Sequence, residues 1–600
     1  MKERLVYLLR LYITLLLIFE TQRLLFMLVN MGHADGAPFL CCLAAMWHGL
    51  RLDSVAASYI VVIPAIAVAV SFLTRKFSLR KIMSPYYMVA AVLLALVFVA
   101  DTVLYFYWGA KMDANDLMYA AKPRDMLASV RWYVVVAGVL LVAGLVWHYF
   151  RRLLHPTPET LTAPKSRWYA LTAIPLLGLV FLGMRGSVSQ STANPSYAYF
   201  SSHAFCNHAA LNPFFNMTHS LFKMQDLENE FDFMTYEEAE GIAAPCFVTD
   251  NAITDTLLVC RRPDILMIVW EGGGWDMTMN DSVGPCLMRL ADEVVCFTAC
   301  YADNFRTDRG LVSLLSGWPG LPTASLMKMP DKCRALPGVA KCLSEEGYRC
   351  RFIYGGDVDF TNMRGYLMET GFDAVDGSEA FPSSRRLSSW GAPDAYTMLP
   401  SVTAAGDSPS FTVLLTLSSH EPWEVPFRRL ADNRCNSFAY TDSCLGVLVD
   451  SLRLTPLWDS LLVVIVPDHG VPLSNSQSTS DPSVAHIPMV WTGGAVRNGK
   501  HSVDAMMMQS DLPATLLAQM GMDASRFVFS RNVLSPSYGS SRHFALHAFK
   551  NGCNYIDSAG ITRMDCNDKS LQPVSGSHTE QQAEFVRALI QYIYQRTARL

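Results

Sequence analysis

The sequence predicts two fold classes in one chain. An α-helical membrane domain of about five spans comes first, and an α/β domain with a mostly parallel central sheet follows. Three observations carry this. Hydrophobic residues make up 51% of the 600 residues and charged residues only 17%, against about 25% charged in ordinary soluble domains. Mean hydropathy is +0.21, and the apolar excess lies almost wholly before residue 190. Beyond residue 262, short β-branched runs alternate with helical patterns. This composition excludes a disordered chain and argues against a wholly soluble enzyme. A net charge of −5, from 48 basic and 53 acidic residues, leaves no basic excess for a phosphate backbone, so nucleic acid is not an expected partner. Fifteen cysteines are too dilute for a disulfide scaffold, and an odd number leaves at least one outside any intrachain pairing.

The membrane elements come first. Apolar stretches lie near 5–30 and at Val55–Leu73, Tyr86–Trp108, Trp132–Phe150 and Trp168–Met184. Each approaches the roughly 20 residues needed to cross a bilayer core. The first is interrupted by Arg10, Glu20 and Arg23. Glu20 and Arg23 share a helix face and can pair, either as an intramembrane site or as a structural ion pair. Residues 36–53 are apolar but short and read as a separate interfacial or re-entrant helix. Lysine and arginine set the orientation. Lys2, Arg4 and Arg10, then Arg75, Lys76, Arg80 and Lys81, then Arg151, Arg152, Lys165 and Arg167 fall on one side, the cytoplasmic one. The loops 32–53 and 109–130 are poorer in basic residues. Five spans then place everything after 190 outside the cytoplasm. No small-residue cleavage site follows the first span, so a retained segment is expected. The expected organisation is a transmembrane domain at 1–187, a connector strap at 188–260 and an exported catalytic domain at 261–600.

In the exported part, strands are expected at Asp264–Trp270, Val295–Ala299, Arg349–Tyr354, Phe411–Leu417, Leu461–Val466 and Ile487–Trp491. The longer runs are apolar almost throughout, as in strands of a parallel sheet buried on both faces. Helices are expected at Leu311–Leu315, Gly338–Glu346 and Leu512–Met520, with a final amphipathic helix from Glu580 to Leu600. Cys553 and Cys566 flank a hairpin.

In such sheets the site lies at the carboxyl ends of the strands. DILMIVW ends in Glu271 and three glycines, FTVLLTL ends in Ser418, Ser419 and His420, and LLVVIVP ends in Asp468 and His469. Carboxylates and imidazoles converging at one edge suit Mn²⁺ or Zn²⁺, with Mg²⁺ as an alternative. DNFRTDRG at 303–310 precedes a helix near Leu311. Thr307 therefore sits near a helix N-terminus that favours developing negative charge. There it is either an N-cap or, beside a metal, an activated nucleophile. Arg306 and Arg309 suit phosphate oxygens.

These residues resemble the lipoteichoic acid synthase family of membrane-bound phosphoglycerol transferases, within the alkaline phosphatase and sulfatase superfamily. The matching pieces are Glu271, Arg306–Thr307 with LVSLLSGWPGLPT at 311–323, LTLSSHEPW at 415–423, PDHG at 467–470, IPMVW at 487–491 and QSDLPATLLAQMG at 509–521. The resemblance implies that Glu271, Thr307, Asp468 and His469 bind one divalent metal, with Mn²⁺ or Mg²⁺ typical. Thr307 would be the nucleophile and His420 a contact of the phosphate or head group. The family's further substrate segment corresponds to 354–372, where its usual Trp-Asn-Arg reads Thr361, Asn362 and Met363, with arginine displaced to Arg364. Asn362 and Arg364 are thus the substrate-binding candidates there. His486 is an extra ligand, a phosphate contact or a strand-edge histidine. Trp390 matches a family segment and is expected to be structural.

The implied reaction is a double displacement. Thr307 takes the head group of a membrane phospholipid donor, diacylglycerol leaves, and an acceptor hydroxyl on a glycan, lipid or polymer receives the head group. The implied location is a bacterial cytoplasmic (inner) membrane, with the catalytic domain on the periplasmic or extracellular side. A sulfatase-like hydrolase or phosphodiesterase is one alternative, although formylglycine cannot form from Thr307-Asp308-Arg309. A phosphoethanolamine transferase is another, but such enzymes usually carry an E-S-x-R stretch where this chain has E-G-G-G. A non-catalytic sensor should have lost a ligand, and none is lost. A transporter is disfavoured by few paired polar residues in the spans.

Overall fold

The computed structural model describes residues 2–600 except 35, 75, 110, 113–131, 163–166, 189–190, 224–225, 248–250, 254–255, 387–389, 399–407, 474–476, 498, 539–541 and 577–578. Arg75, Lys165 and most of the 109–130 loop therefore lie outside the described residues. The chain forms two compact units, Met1–Met224 and Gln225–Leu600. The division falls within the segment expected to act as a connector.

Five helices of the first unit are long and apolar enough to cross a membrane. They are α1 (Lys2–Val29), α2 (Phe39–Val70), α3 (Leu79–Trp108), α4 (Trp132–Leu154) and α5 (Ala173–Arg185), the last extended by a 3₁₀ turn from Arg167. Two short helices, α6 (Ala204–Ala210) and α7 (Pro213–Lys223), follow within the same unit. The separate interfacial helix expected at 36–53 does not exist, because α2 runs unbroken from Phe39 to Val70. Its two charged residues have partners elsewhere in the chain. Asp53 is buried and accepts from Arg23 Nη2 at 2.8 Å and from Asn212 Nδ2 at 2.7 Å. Arg51 lies over the Tyr197 ring, 3.2 Å from its centroid. Arg23 also pairs with Glu20 and donates to the Ala209 carbonyl on α6. Gly49 makes room for this guanidinium, since a Cβ there would lie 2.1 Å from Arg23 Cζ. The Glu20–Arg23 pair is thus a structural ion pair that ties α1, α2 and the 204–212 segment together.

The second unit is built on a nine-stranded sheet. Its strands are β1 (Asp264–Trp270), β2 (Val295–Tyr301), β3 (Arg349–Tyr354), β4 (Ala374–Asp376), β5 (Ser410–Leu415), β6 (Leu461–Pro467), β7 (His486–Thr492), β8 (His501–Val503) and β9 (Met507–Met508). The order is β8-β2-β7-β6-β1-β5-β3-β4, with β9 also on β2. All described pairings are parallel except those of β7, which runs antiparallel to both β2 and β6. The apolar runs follow from burial on both faces. In β1, Ile265, Met267 and Val269 enter one core, and Leu266, Ile268 and Trp270 enter the other. The carboxyl ends of β1, β2, β5 and β6 therefore share one edge.

The helix expected near Leu311 begins earlier. It is α8 (Thr307–Ser316), with Arg306 in extended geometry at the N-cap and Gly317 ending it at φ +60°. Its first turn is polar in sequence, but those side chains have partners. Asp308 pairs with Lys328 at 2.8 Å, and Arg309 Nε donates to the Ala324 carbonyl at 2.8 Å. Later come α9 (Asn433–Leu452) and α10 (Leu512–Met520). A four-stranded antiparallel sheet spans Phe544 to Gly576, and its second hairpin precedes Cys566 as expected. The final helix, α11 (Glu580–Ala598), buries Phe585, Leu589, Ile590 and Ile593. All fifteen cysteines are thiols.

Candidate active site

The site is assembled from the carboxyl ends of four strands. Glu271 follows β1, Asp468 and His469 follow β6, His420 lies five residues beyond β5, and Thr307 opens α8 after β2. Glu271, Asp468 and His469 are buried, and one ligand atom from each lies within 4.8 Å of the others. His469 Nε2 stands 3.4 Å from Glu271 Oε1 and 3.6 Å from Asp468 Oδ2. Thr307 Oγ1 donates to Glu271 Oε2 at 3.1 Å. Glu271, Thr307 and His469 border a cavity of about 440 Å³, whose walls also include Arg306 and His420.

Backbone groups hold the carboxylates in place. Asp468 Oδ1 accepts from the Gly272 and His469 amides, both at 2.9 Å. Gly272 does this at φ +68°, and a Cβ there would meet Val471 Cγ1 at 2.8 Å, so the Gly after Glu271 is a geometric need. Ser419 Oγ donates to the Glu271 carbonyl at 2.7 Å, and the Glu271 amide to Thr416 Oγ1 at 3.0 Å. His469 Nδ1 donates to the Gly470 carbonyl at 3.0 Å, which aims Nε2 at the carboxylates.

The donor set fits a divalent cation. Asp468 Oδ2 is buried and has no hydrogen-bond partner among the described residues, a costly state that a cation would relieve. Two carboxylates, an imidazole and a hydroxyl suit Mn²⁺, Mg²⁺ or Zn²⁺. The electrostatics show the same crowding. Burial, then the Glu271 charge, pushes the Asp468 carboxyl up to about 7. Burial would also raise Glu271, but the His469 hydrogen bond and charge outweigh it and hold the carboxyl at about 2. Burial opposes charging of His469, yet the Asp468 and Glu271 charges raise it to about 10. The metal-free cluster thus retains a proton on the imidazole that a cation would displace.

Residues 263–522 match the family model for sulfatases. The α/β domain is thus sulfatase-like. A phosphoglycerol transferase I from Xanthomonas euvesicatoria pv. vesicatoria (strain 85-10) is 24% identical over 234 residues, which is 34% of this chain and 33% of the relative. The chain therefore spans about a third of that relative's length. A crystal structure of a protein in the alkaline phosphatase superfamily from Vibrio parahaemolyticus superposes with a TM-score of 0.54 at 21% identity, over 62% of this chain and 98% of that one. The lipoteichoic acid synthase LtaP from Listeria monocytogenes gives 0.49 at 14% identity, over 61% and 98%. The Vibrio likeness shows the fold.

Of the expected residues, the sulfatase-like domain brings Glu271, Arg306, Thr307, His420, Asp468 and His469 together. His420 lies beside Trp390, with ring centroids 4.5 Å apart, and its Nδ1 bonds the Glu421 carbonyl at 2.7 Å. Three candidates go elsewhere. Asn362 is buried and donates to the Met327 carbonyl at 2.8 Å. Arg364 is held by Asp359 at 2.9 Å and Glu379 at 2.5 Å. His486 bonds the Thr298 carbonyl at 2.8 Å and stacks on Trp275 with centroids 4.4 Å apart. None of the three lines the cavity.

The cavity wall includes residues that the sequence reading missed. Arg434 on α9 stacks on Trp423 with its Cζ 5.9 Å from the ring centroid, and donates to the Pro472 carbonyl at 2.5 Å. Thr361 and Trp423 both line the cavity with positive φ, at +57° and +60°. Such strain in non-glycine residues persists where the surroundings enforce it and gathers at functional sites. Thr361 stands in the 354–372 segment and Trp423 in LTLSSHEPW, whereas nothing in the sequence marked Arg434.

Asp303, four residues before Thr307, anchors the Thr307 loop. Its carboxylate accepts from the Ser510 amide at 3.0 Å and Ser510 Oγ at 2.7 Å. Burial nonetheless raises its pKa to about 7. A carboxyl raised in the folded state holds its proton longer than in the unfolded chain, so stability falls as pH rises from about 4 to about 7. Asp303→Asn, which keeps the acceptor, should remove a fall on the order of 4 kcal/mol. Melting temperatures at pH 5 and pH 8 check this: the parent's drop should exceed the variant's, and equal drops would refute it.

Proposed function

We propose that the chain transfers a phosphoglycerol-type head group from a membrane phospholipid to an acceptor hydroxyl through a phospho-threonine ester on Thr307. The observation that carries this is Thr307 Oγ1, which opens a helix, bonds Glu271 and faces the cavity beside the Glu271–Asp468–His469 cluster. The names of the curated relatives support it, and a sulfatase-like domain supplies the frame.

Glu271, Asp468, His469 and the Thr307 hydroxyl would hold one divalent cation, with Mn²⁺ foremost. When bound, such an ion lowers the hydroxyl pKa and offsets charge on the phosphoryl oxygens. The remaining work belongs to the chain. Glu271 Oε2 accepts the Thr307 proton as Oγ1 bonds phosphorus. The ester bond to diacylglycerol breaks, and that oxygen leaves with the proton that Glu271 received. The N-terminus of α8 and Arg306 stabilise the anionic phosphoryl group. His420 has Nδ1 engaged and offers Nε2 to the phosphoryl or head-group oxygens. In the second half, an acceptor hydroxyl on a glycan, lipid or polymer bonds phosphorus, its proton passes by way of Glu271 to Thr307 Oγ1, and Thr307 departs as the free hydroxyl.

The five apolar helices and the lysine and arginine distribution support a cytoplasmic-membrane location with the catalytic domain outside. Tethering confines enzyme and lipid to one surface and raises their effective concentration. The test is diacylglycerol release by full-length protein in vesicles of phosphatidylglycerol or phosphatidylethanolamine with Mn²⁺. Release from phosphatidylglycerol is expected. Release from phosphatidylethanolamine instead would assign a phosphoethanolamine donor. Cleavage of soluble phosphodiesters or sulfate esters alone would assign a hydrolase.

A further inference from the structure

Gln509 lies outside the cavity, yet it joins the two loops that the site depends on. Its side chain is fully buried. Nε2 donates to the Pro467 carbonyl at 2.7 Å and the Asp468 carbonyl at 2.8 Å, and Oε1 accepts from the Asp303 amide at 3.0 Å. Two donors facing two carbonyls, with the acceptor facing an N–H, is the one amide orientation chemistry allows there. Pro467 and Asp468 lead directly into His469. Asp303 leads into Thr307 through Asn304, whose Oδ1 accepts from the Arg306 amide at 2.9 Å. The next two side chains of the same segment are also committed. Ser510 binds the Asp303 carboxylate, and Asp511 forms a buried pair with Arg531 at 2.6 Å. Segment 509–511 is therefore fixed from several sides, and Gln509 is its reach toward the chemistry.

We propose that Gln509 is the positioning residue that sets the separation between the Thr307 loop and the Asp468–His469 loop, and thereby the divalent-cation affinity of the site. This rests on the metal-binding reading above. No other described side chain hydrogen-bonds both the backbone of Asp303 and that of Asp468. A cation held by Thr307, Glu271, Asp468 and His469 needs both loops at one spacing, and residues that orient ligands commonly change metal affinity 10- to 100-fold.

The experiment uses full-length protein in detergent micelles with four forms: parent, Gln509→Met, Gln509→Asn and Ser530→Ala. Gln509→Met keeps the volume and removes all three bonds. Gln509→Asn keeps the amide one methylene short and guards against a methionine variant that fails to fold. Ser530→Ala removes a buried bond to the Ala514 amide at the start of α10. Mn²⁺ affinity is read by titration calorimetry. Deuterium exchange of peptides covering 300–307 and 466–470 is read on the metal-free proteins.

Both Gln509 variants should bind Mn²⁺ about tenfold or more weakly and exchange faster in both loops together. Ser530→Ala should lower the melting temperature while leaving affinity and both exchange profiles at parent values. Parent-like affinity and exchange in the Gln509 variants would overturn the proposal, as would equal loosening by Ser530→Ala. If the parent binds no Mn²⁺, the metal reading fails, and the paired exchange still decides whether Gln509 couples the loops.

Discussion

Thr307→Ala is expected to lower head-group release by at least about a thousandfold, the scale seen when a nucleophile is removed. Among the described residues, no serine or cysteine lines the cavity beside this hydroxyl except Ser419, whose Oγ is committed to the Glu271 carbonyl. The structural cost should be small. The change removes one hydrogen bond, to Glu271 Oε2, worth about 1 kcal/mol. Melting temperature should therefore stay near the parent value while turnover vanishes. Mn²⁺ should still bind through Glu271, Asp468 and His469, though less tightly. Residual turnover above a tenth of the parent rate would remove Thr307 from the mechanism.

Gly310→Ala is expected to cost about a hundredfold or more in rate, the scale of a misplacement near 1 Å. Gly310 lies in the first turn of α8, and its Cβ would stand 2.1 Å from the Asp468 carbonyl oxygen and 2.9 Å from its carbon. Backbone atoms cannot rotate away, so α8 or the Asp468 loop must shift. Either shift separates Thr307 from the carboxylates. Overpacking of this kind also destabilises by about 1–3 kcal/mol. Steady-state rates and melting curves on the same preparation separate the two effects. A variant with parent-like turnover would mean that the loop spacing does not limit the chemistry.

The sheet was legible because a parallel strand buried on both faces has little room for polar residues. Glu271, His420 and Asp468–His469 at the ends of such runs therefore stood out as chemistry. Thr307 was legible through its neighbours, although the polar first turn hid the true start of α8. What was not legible depends on partners far along the chain. α2 runs through 36–53 with Asp53 paired to Arg23 and Arg51 over the Tyr197 ring. Arg364 looked like a substrate contact until Asp359 and Glu379 claimed it. Asn362 and His486 were likewise claimed by the carbonyls of Met327 and Thr298. The cavity wall is drawn from α9 and from strained loop positions at Thr361 and Trp423, which follow no periodicity.

The central claim is a covalent ester on Thr307. The most direct test incubates full-length protein with phosphatidylglycerol vesicles and Mn²⁺, quenches in acid and maps peptides by mass spectrometry. The expected result is a peptide containing Thr307 that gains the mass of one phosphoglycerol ester, fragments to place it on that threonine, and loses it when an acceptor is added before the quench. Diacylglycerol release with Thr307 unmodified at every time point, and release retained in Thr307→Ala, would contradict the account.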